Sequence, residues 1–160
     1  MKGKVGLITI YHVPNFGSVL QTYATQEVLR KLGYDCVVLQ YKYPNEWHYA
    51  QGRVRPSLKS RIGLLLGLRP AHRKANKLER FRRKFFNFSR PYANLEEMKN
   101  EDWSGYHAVA VGSDQVWNFS WYRPYLFLNF VPSEKKKIAY AASISMESLT
   151  SFQQQIIKNH

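Results

Sequence analysis

Residues 4–41, KVGLITIYHVPNFGSVLQTYATQEVLRKLGYDCVVLQY, carry the clearest secondary-structure pattern in the chain. The apolar run 4–10 predicts a buried parallel strand. Residues 18–32 repeat apolar side chains at helical spacing, with Ser18 as the expected N-cap and Gly33 just past the last turn. The apolar run 35–41 predicts a second buried strand. Strand, helix and strand in this order form a right-handed βαβ unit.

The same pattern returns in the last third of the chain. YHAVAV at 106–111 and KIAYAA at 137–142 predict two more buried strands, residues 126–130 predict a short extra strand, and 146–158 predict a final helix. We therefore expect an α/β fold, a Rossmann-like parallel sheet with flanking helices.

Charge divides the chain into segments. The 160 residues contain 24 Lys and Arg against 11 Asp and Glu, a formal net charge of +13, and 42–90 hold fourteen of these basic residues and two acids. The sequence thus predicts one domain, 1–160, composed of a βαβ unit (1–41), a basic helical insertion (42–102), and the third and fourth strands with the terminal helix (103–160). Helices are expected at 57–68 and 75–88. In the second, Leu78, Phe81, Phe85 and Phe88 form an aromatic stripe typical of core packing.

Composition excludes several classes of protein. An apolar fraction of 44% with 15% aromatic residues excludes intrinsic disorder as the main state. The single cysteine, Cys36, excludes an intrachain disulfide or a cysteine-based zinc site, and the five histidines show no metal-ligand spacing, so no metal is expected. The N-terminus does not read as a signal peptide, and no apolar run reaches the ~20 residues that span a bilayer.

The basic segment leaves three interpretations open. It can be a solvated basic face, or residues 53–90 can bind an anionic membrane surface, because the apolar run 58–68 is flanked by Arg61, Arg69 and Arg73. Nucleic acid is the third candidate partner, although no recognisable nucleic-acid-binding motif is present.

The first candidate site is the loop YHVPNFGS at 11–18, where a strand ends and a helix begins. Ligands bind at this position in open α/β sheets, and helix N-termini attract anions. Gly17 allows close backbone approach, Asn15 and Ser18 can add hydrogen bonds, and His12 is the histidine that we would test for function. The loop is neither a P-loop nor a dinucleotide motif. A ligand loop and an ordinary strand-to-helix turn both fit the spacing.

The second candidate site is GSDQVWN at 112–118, which directly follows a predicted buried strand. Asp114 could act as a general base toward a sugar hydroxyl, and Trp117 could stack on a sugar ring. The alternative is structural: Asp114 caps the next helix, and Trp117 fills the core.

Three segments together resemble the N-terminal half of the polysaccharide pyruvyl transferase family. They are NFGSVLQTYA at 15–24, VGSDQVWN at 111–118 and KIAYAAS at 137–143, which occur in the family's order and spacing. The resemblance covers 2–41 and 103–145 well and 42–102 poorly. It implies the N-terminal domain of a glycosyltransferase B-type fold.

The resemblance also implies an activity, the transfer of a pyruvyl group from phosphoenolpyruvate to a sugar of a cell-surface polysaccharide. Phosphoenolpyruvate is then a co-substrate, with no other cofactor, and the acceptor is a sugar or lipid-linked oligosaccharide. A cytoplasmic location follows, with a peripheral position at the inner face of the membrane as an option. The expected catalytic residue is Asp114. The expected substrate-binding residues are Asn15, Gly17, Ser18, Gln21, Gly112, Ser113, Gln115, Trp117 and Asn118.

Two departures from the family accompany the resemblance. A strand ending in Asp-Tyr is met only as Gln40-Tyr41, so no acidic role is expected at position 40. The family's second domain, which holds phosphoenolpyruvate, has no counterpart in the 160 residues. We therefore expect the donor half to come from a C-terminal domain or a partner chain, and the 160 residues alone to be inactive. A basic membrane-surface or nucleic-acid-binding module without catalysis is the alternative function.

Overall fold

The computed structural model describes residues 2–41, 59, 62, 66, 70–121 and 123–158. Within these ranges the strands are β1 (Lys4–Ile8), β2 (Asp35–Tyr41), β3 (Phe88–Tyr92), β4 (Tyr106–Asp114) and β5 (Lys136–Ala142). The helices are α1 (Phe16–Lys31), α2 (Pro70–Phe85), α3 (Leu95–Lys99) and α4 (Ser151–Lys158). Short 3₁₀ turns occupy Phe119–Trp121 and Pro124–Phe127.

The strands described form one sheet in the order β3-β2-β1-β4-β5. Every pairing is parallel, and β1 lies at the centre, with Leu7 in register with Val38 of β2 and with Ala110 of β4. The predicted α/β fold with a parallel sheet is confirmed. The burial predicted for the strand at 137–142 is wrong, because β5 is the other edge of the sheet and none of its residues is buried.

Buried side chains form two clusters within the described ranges, one on each face of the sheet. Successive strand residues point to opposite faces, so Leu7 and Ala110 belong to one cluster and Ile8 and Val111 to the other. Helices α1 and α2 cover the first face. The connection from β4 to β5 packs against the second.

Residues 88–92 form a strand that the sequence analysis did not predict. The helical spacing of apolar residues predicts that Phe88 lies in a helix over 75–88. The helix is α2, Pro70–Phe85, and Phe88 begins β3. The sequence FSRPY does not show the strand pattern because this is a half-exposed edge strand, where Pro91 is tolerated. The expected helical insertion at 42–102 therefore also contributes the edge strand of the sheet and helix α3.

The predicted aromatic stripe packs into the core only in part, because Phe85 is 36% exposed and Phe88 lies in β3. Leu78 is 4% exposed, and the rings of Phe81 and Phe85 lie 5.5 and 5.7 Å from the ring of Tyr23 on α1. Most of the charged side chains of α2 lie on its outer side.

Other elements also differ from the sequence predictions. Strand β1 ends at Ile8, and α1 begins at Phe16 because Asn15, not Ser18, is its N-cap. The extra strand expected at 126–130 is wrong, since Pro124–Phe127 form a 3₁₀ turn that Leu128 ends in a left-handed conformation. The final helix begins at Ser151 rather than at 146. The helix expected at 57–68 lies outside the described residues, apart from 59, 62 and 66.

None of the helices in the described part of the chain is both long and apolar enough to cross a membrane.

Candidate functional site

The loop after β1 is built as the N-terminal cap of α1. The Asn15 side-chain oxygen accepts the backbone N–H groups of Gly17 at 2.7 Å and of Ser18 at 3.4 Å. A Cβ at Gly17 would lie 3.1 Å from that oxygen, which favours glycine there. Asn15, Gly17 and Ser18 therefore shape the turn, and the cap occupies two of the N–H groups that an anion would need.

The carboxyl end of β4 has an unusual backbone. Gly112 (φ +117°) and Asp114 (φ +86°) are both left-handed, and the peptide bond between Gly112 and Ser113 is cis. A Cβ at Gly112 would collide with the backbone carbonyl oxygen of Tyr140, so the close approach of β4 to β5 requires glycine.

Asp114 is held through its backbone while its carboxyl group stays exposed. Its carbonyl oxygen accepts the N–H groups of Val116 at 2.8 Å and Ser143 at 2.9 Å, which ties the end of β4 to the residues after β5. Asp114 ends a strand and is not followed by an α-helix, so the helix-cap alternative is wrong. The geometry leaves the carboxylate accessible to a substrate hydroxyl.

Gln115, Trp117 and Asn118 organise the connection that follows. The Asn118 side chain contacts Gln115 at 3.4 Å through its Nδ2 and accepts the N–H of Ser120 at 2.9 Å through its Oδ1. The Trp117 Nε1–H donates to the Leu126 carbonyl at 2.9 Å, and its ring stacks on Phe127. Trp117 therefore packs against the core on the face opposite α1, as the structural alternative expects. Its contact with a sugar stays a prediction.

A groove of about 360 Å³ runs between α1 and the β4–β5 edge of the sheet. It brings together two of the predicted site residues, Gln21 on α1 and Ser113 at the end of β4. Both side-chain amide atoms of Gln21 are buried and have no hydrogen-bond partner among the described residues. The other residues that line the groove are mostly apolar: Leu7, Ala24, Thr25, Val28, Leu29, Leu32, Ala110, Ile138 and Tyr140.

The unpaired amide of Gln21 gives the groove its chemical character. Buried polar groups in proteins are normally hydrogen-bonded, and an unpaired one calls for an explanation. An amide offers both a donor and an acceptor, so it can bind a hydroxyl group in either direction. Tyr140, which is 61% exposed, is a groove residue that the sequence analysis missed. Tyr140 follows Ile138 by two residues in the same strand, so both side chains lie on the same face of the sheet. This spacing could have identified Tyr140 from the sequence.

The predicted site residues thus fall into four groups. Gln21 and Ser113 share the groove, and Gly112 and Asp114 fix and end the strand beside it. Asn15, Gly17 and Ser18 form the cap, and Gln115, Trp117 and Asn118 form the β4–β5 connection. Within the described ranges, no group of three His, Cys, Asp or Glu side chains could hold a metal ion.

The family model described as "Polysaccharide pyruvyl transferase" matches residues 15–160, from the N-cap of α1 onward. The chain belongs to the polysaccharide pyruvyl transferase family. The matched range contains both polysaccharide pyruvyl transferase segments that shape the groove, 15–24 and 111–118. No curated protein matches the chain, and no solved structure does.

Proposed function

We propose that this chain binds the acceptor sugar in a reaction that transfers a pyruvyl group from phosphoenolpyruvate to a cell-surface polysaccharide. Membership of the polysaccharide pyruvyl transferase family supports the reaction class. The observation that carries the proposal is the groove, in which Gln21 and Ser113, from two separate family segments, lie together. The N-terminal domain of a glycosyltransferase B-type fold would present this edge of the sheet to a cleft.

The groove suits a sugar. A sugar ring has apolar C–H faces and hydroxyl edges, and the groove offers an apolar wall with polar groups at Gln21 and Ser113. Both amide atoms of Gln21 are buried at the groove wall, so its side chain would have to change rotamer to take its missing hydrogen bonds from acceptor hydroxyls. A lipid-linked oligosaccharide fits the same chemistry through its sugar.

Asp114 is proposed as the base. Forming a pyruvate ketal from phosphoenolpyruvate and two acceptor hydroxyls releases two protons: one is taken up by the enol methylene carbon, and the other leaves with the phosphate. The first hydroxyl must lose its proton as its oxygen adds to the enol carbon. The carboxylate of Asp114 is exposed and follows the groove residue Ser113 in the chain, which supports its assignment as the group that accepts this proton.

The proposal is tested by titrating the chain with oligosaccharides that lack pyruvate ketals, prepared from the polysaccharide of the source organism. We expect Gln21→Ala to weaken binding about tenfold, because one or two hydrogen bonds are lost. Gln154→Ala, on the surface of α4, is the matched control and should bind like the wild type. Equal affinity of the two variants would count against the groove.

A peripheral membrane position is the second proposal, and α2 supports it. Exposed basic side chains line this helix: Arg73, Lys74, Lys77, Arg80, Arg83 and Lys84. The proposed location is the cytoplasm, at the inner face of the membrane, where lipid-linked acceptors would meet this charge. Vesicles with anionic lipid should bind the chain in a salt-sensitive manner, and binding that salt does not affect would exclude the idea.

The structure gives less support to nucleic acid as a partner. Phe81 and Phe85 of the basic segment pack on Tyr23 and are therefore engaged in helix packing rather than free for base stacking.

A further inference from the structure

A second cavity, of about 440 Å³, opens at the carboxyl ends of β1 and β2, with α2 as one wall. We call it the basic pocket. It contains none of the residues that the family segments contribute to the groove. Its lining comprises Tyr11, His12, Gln40, Tyr41, Glu79, Arg82, Arg83 and Phe88.

Arg82 is the unusual residue of the basic pocket, because its side chain is only 9% exposed. Its Nη2 donates to the Val13 carbonyl at 2.7 Å, and its Nη1 contacts the Glu79 carboxylate at 3.3 Å. Its Nε is buried and has no acceptor among the residues that the structure describes. A buried guanidinium with an unused N–H group is costly unless something else accepts from it.

The charges that line the basic pocket do not cancel. Glu79 contacts both Arg82 and Arg83, the latter at 2.9 Å, so one carboxylate faces two guanidinium groups. Burial raises the pKa of the Glu79 carboxyl, but the hydrogen bonds from Arg83 and Arg82 outweigh it and hold the pKa below the ordinary value. Glu79 is therefore ionised at neutral pH, and one positive charge remains in excess.

We infer that the basic pocket binds a phosphate group. Its polar groups come from three separate elements: Arg82 and Arg83 from α2, His12 from the loop after β1, and Gln40 and Tyr41 from the end of β2. Donors arranged around a cavity suit a tetrahedral anion with several oxygens, whereas a carboxylate is satisfied by one arginine fork. The phosphate can belong to a phosphorylated or lipid-linked sugar or be free inorganic phosphate. The inference does not depend on the pyruvyl transfer reaction.

The test is calorimetric titration of the full chain with inorganic phosphate, with glucose 1-phosphate as a phosphorylated sugar, and with acetate, at low salt and pH 7. Arg83→Gln is the main variant, because Arg83 is exposed and its loss should not unfold the chain. Arg80→Gln, on the same helix but outside the pocket lining, removes the same charge as a control. Arg82→Gln is compared only if its melting temperature stays within a few degrees of the wild type.

Phosphate binding that falls about tenfold in Arg83→Gln and is unchanged in Arg80→Gln supports the inference. Tighter binding of glucose 1-phosphate than of inorganic phosphate assigns the pocket to a phosphorylated sugar, and equal binding assigns it to free phosphate. Three results overturn the inference: no binding of either phosphate compound, equal losses in the two arginine variants, or acetate binding as tight as phosphate. Each is independent of oligosaccharide binding to the groove, so failure here and failure of the proposed function are distinguishable.

Discussion

Gln21 and Gln26 lie on the same helix, α1, and both have buried side-chain amides, yet only Gln26 is hydrogen-bonded within the described chain. The Gln26 Nε2 donates to the Phe85 carbonyl at 2.8 Å, and its Oε1 accepts the Asn87 N–H at 2.8 Å. Gln26 thus fastens the turn from α2 to β3 onto α1. Gln21, in contrast, faces the groove with both amide atoms unpaired. Gln26 therefore stabilises the fold, and we assign Gln21 to ligand binding.

This contrast predicts opposite effects of one substitution at two positions. Gln26→Leu should lower the free energy of unfolding by about 1–3 kcal/mol, since it leaves a part-buried carbonyl and a part-buried N–H unpaired. Gln21→Leu should change it by less than about 1 kcal/mol or stabilise the fold, because the removed amide satisfies nothing there. Urea denaturation of both variants measures the difference. Equal destabilisation would contradict the assignment.

The left-handed turn at the end of β4 makes Gly112 irreplaceable. Gly112→Ala places a Cβ against the Tyr140 carbonyl in a strained conformation, so we expect a loss of stability of more than about 2 kcal/mol. Gly105→Ala is the control, since an added Cβ there meets nothing within 4 Å. Thermal unfolding of the two variants should separate them by several degrees. A stable Gly112→Ala protein would show that β4 and β5 do not approach this closely.

Asp114 should be needed for turnover and dispensable for folding. Asn tolerates the left-handed backbone as Asp does, so Asp114→Asn should fold normally. In a pyruvyl transfer assay with the donor-binding half present, it should reduce kcat about a hundredfold or more, which is the range for loss of a general base. Asp102→Asn is the control, because Asp102 precedes the N-terminal end of β4, and this variant should keep full activity. An unchanged kcat in Asp114→Asn would show that Asp114 is not the general base.

Glu79 predicts a pH dependence of stability. Because the pKa of Glu79 in the folded protein lies below its ordinary value of 4.5, its charge stabilises the fold above that pH. This contribution is lost as the pH falls through the folded pKa. Glu79→Gln should therefore be less stable than the wild type at pH 7, by under about 1 kcal/mol because the group is half exposed, and equally stable at strongly acid pH. A difference that persists in acid would contradict the ion pairs.

Cys36 reports on unfolding. Burial in the core raises the pKa of its thiol to about 12, so little thiolate exists near pH 8. Ellman's reagent should not react with the native chain at pH 8 and should label one thiol per chain in denaturant. Rapid labelling of the native chain would show that β2 is not buried.

The central part of the fold could be predicted because its strands are buried on both faces and read as continuous apolar runs. Strand β3 could not, because FSRPY is a half-exposed edge with a proline, and its pairing with β2 is a long-range event. The segment 126–130 shows the reverse error. Its apolar side chains are buried by packing, but Pro124–Phe127 form a 3₁₀ turn, and Leu128 ends that turn in a left-handed conformation.

The candidate site was predictable as residues and not as geometry. The family resemblance selected Gln21 and Ser113, but only the three-dimensional arrangement shows that they share a groove. Arg82 was missed because a basic run resembles a solvated surface. The available signal was its spacing, since Arg82 follows the buried Leu78 by four residues and lies on the apolar side of α2.

The most direct measurement is the side-chain amide spectrum of the ¹⁵N-labelled chain during titration with oligosaccharides that lack pyruvate ketals. If the groove binds the acceptor, the NH₂ signals of Gln21 shift with added sugar and saturate, while those of Gln26 stay in place. If the Gln21 signals do not move although the sugar binds, or no sugar binds at all, the groove is not the acceptor site.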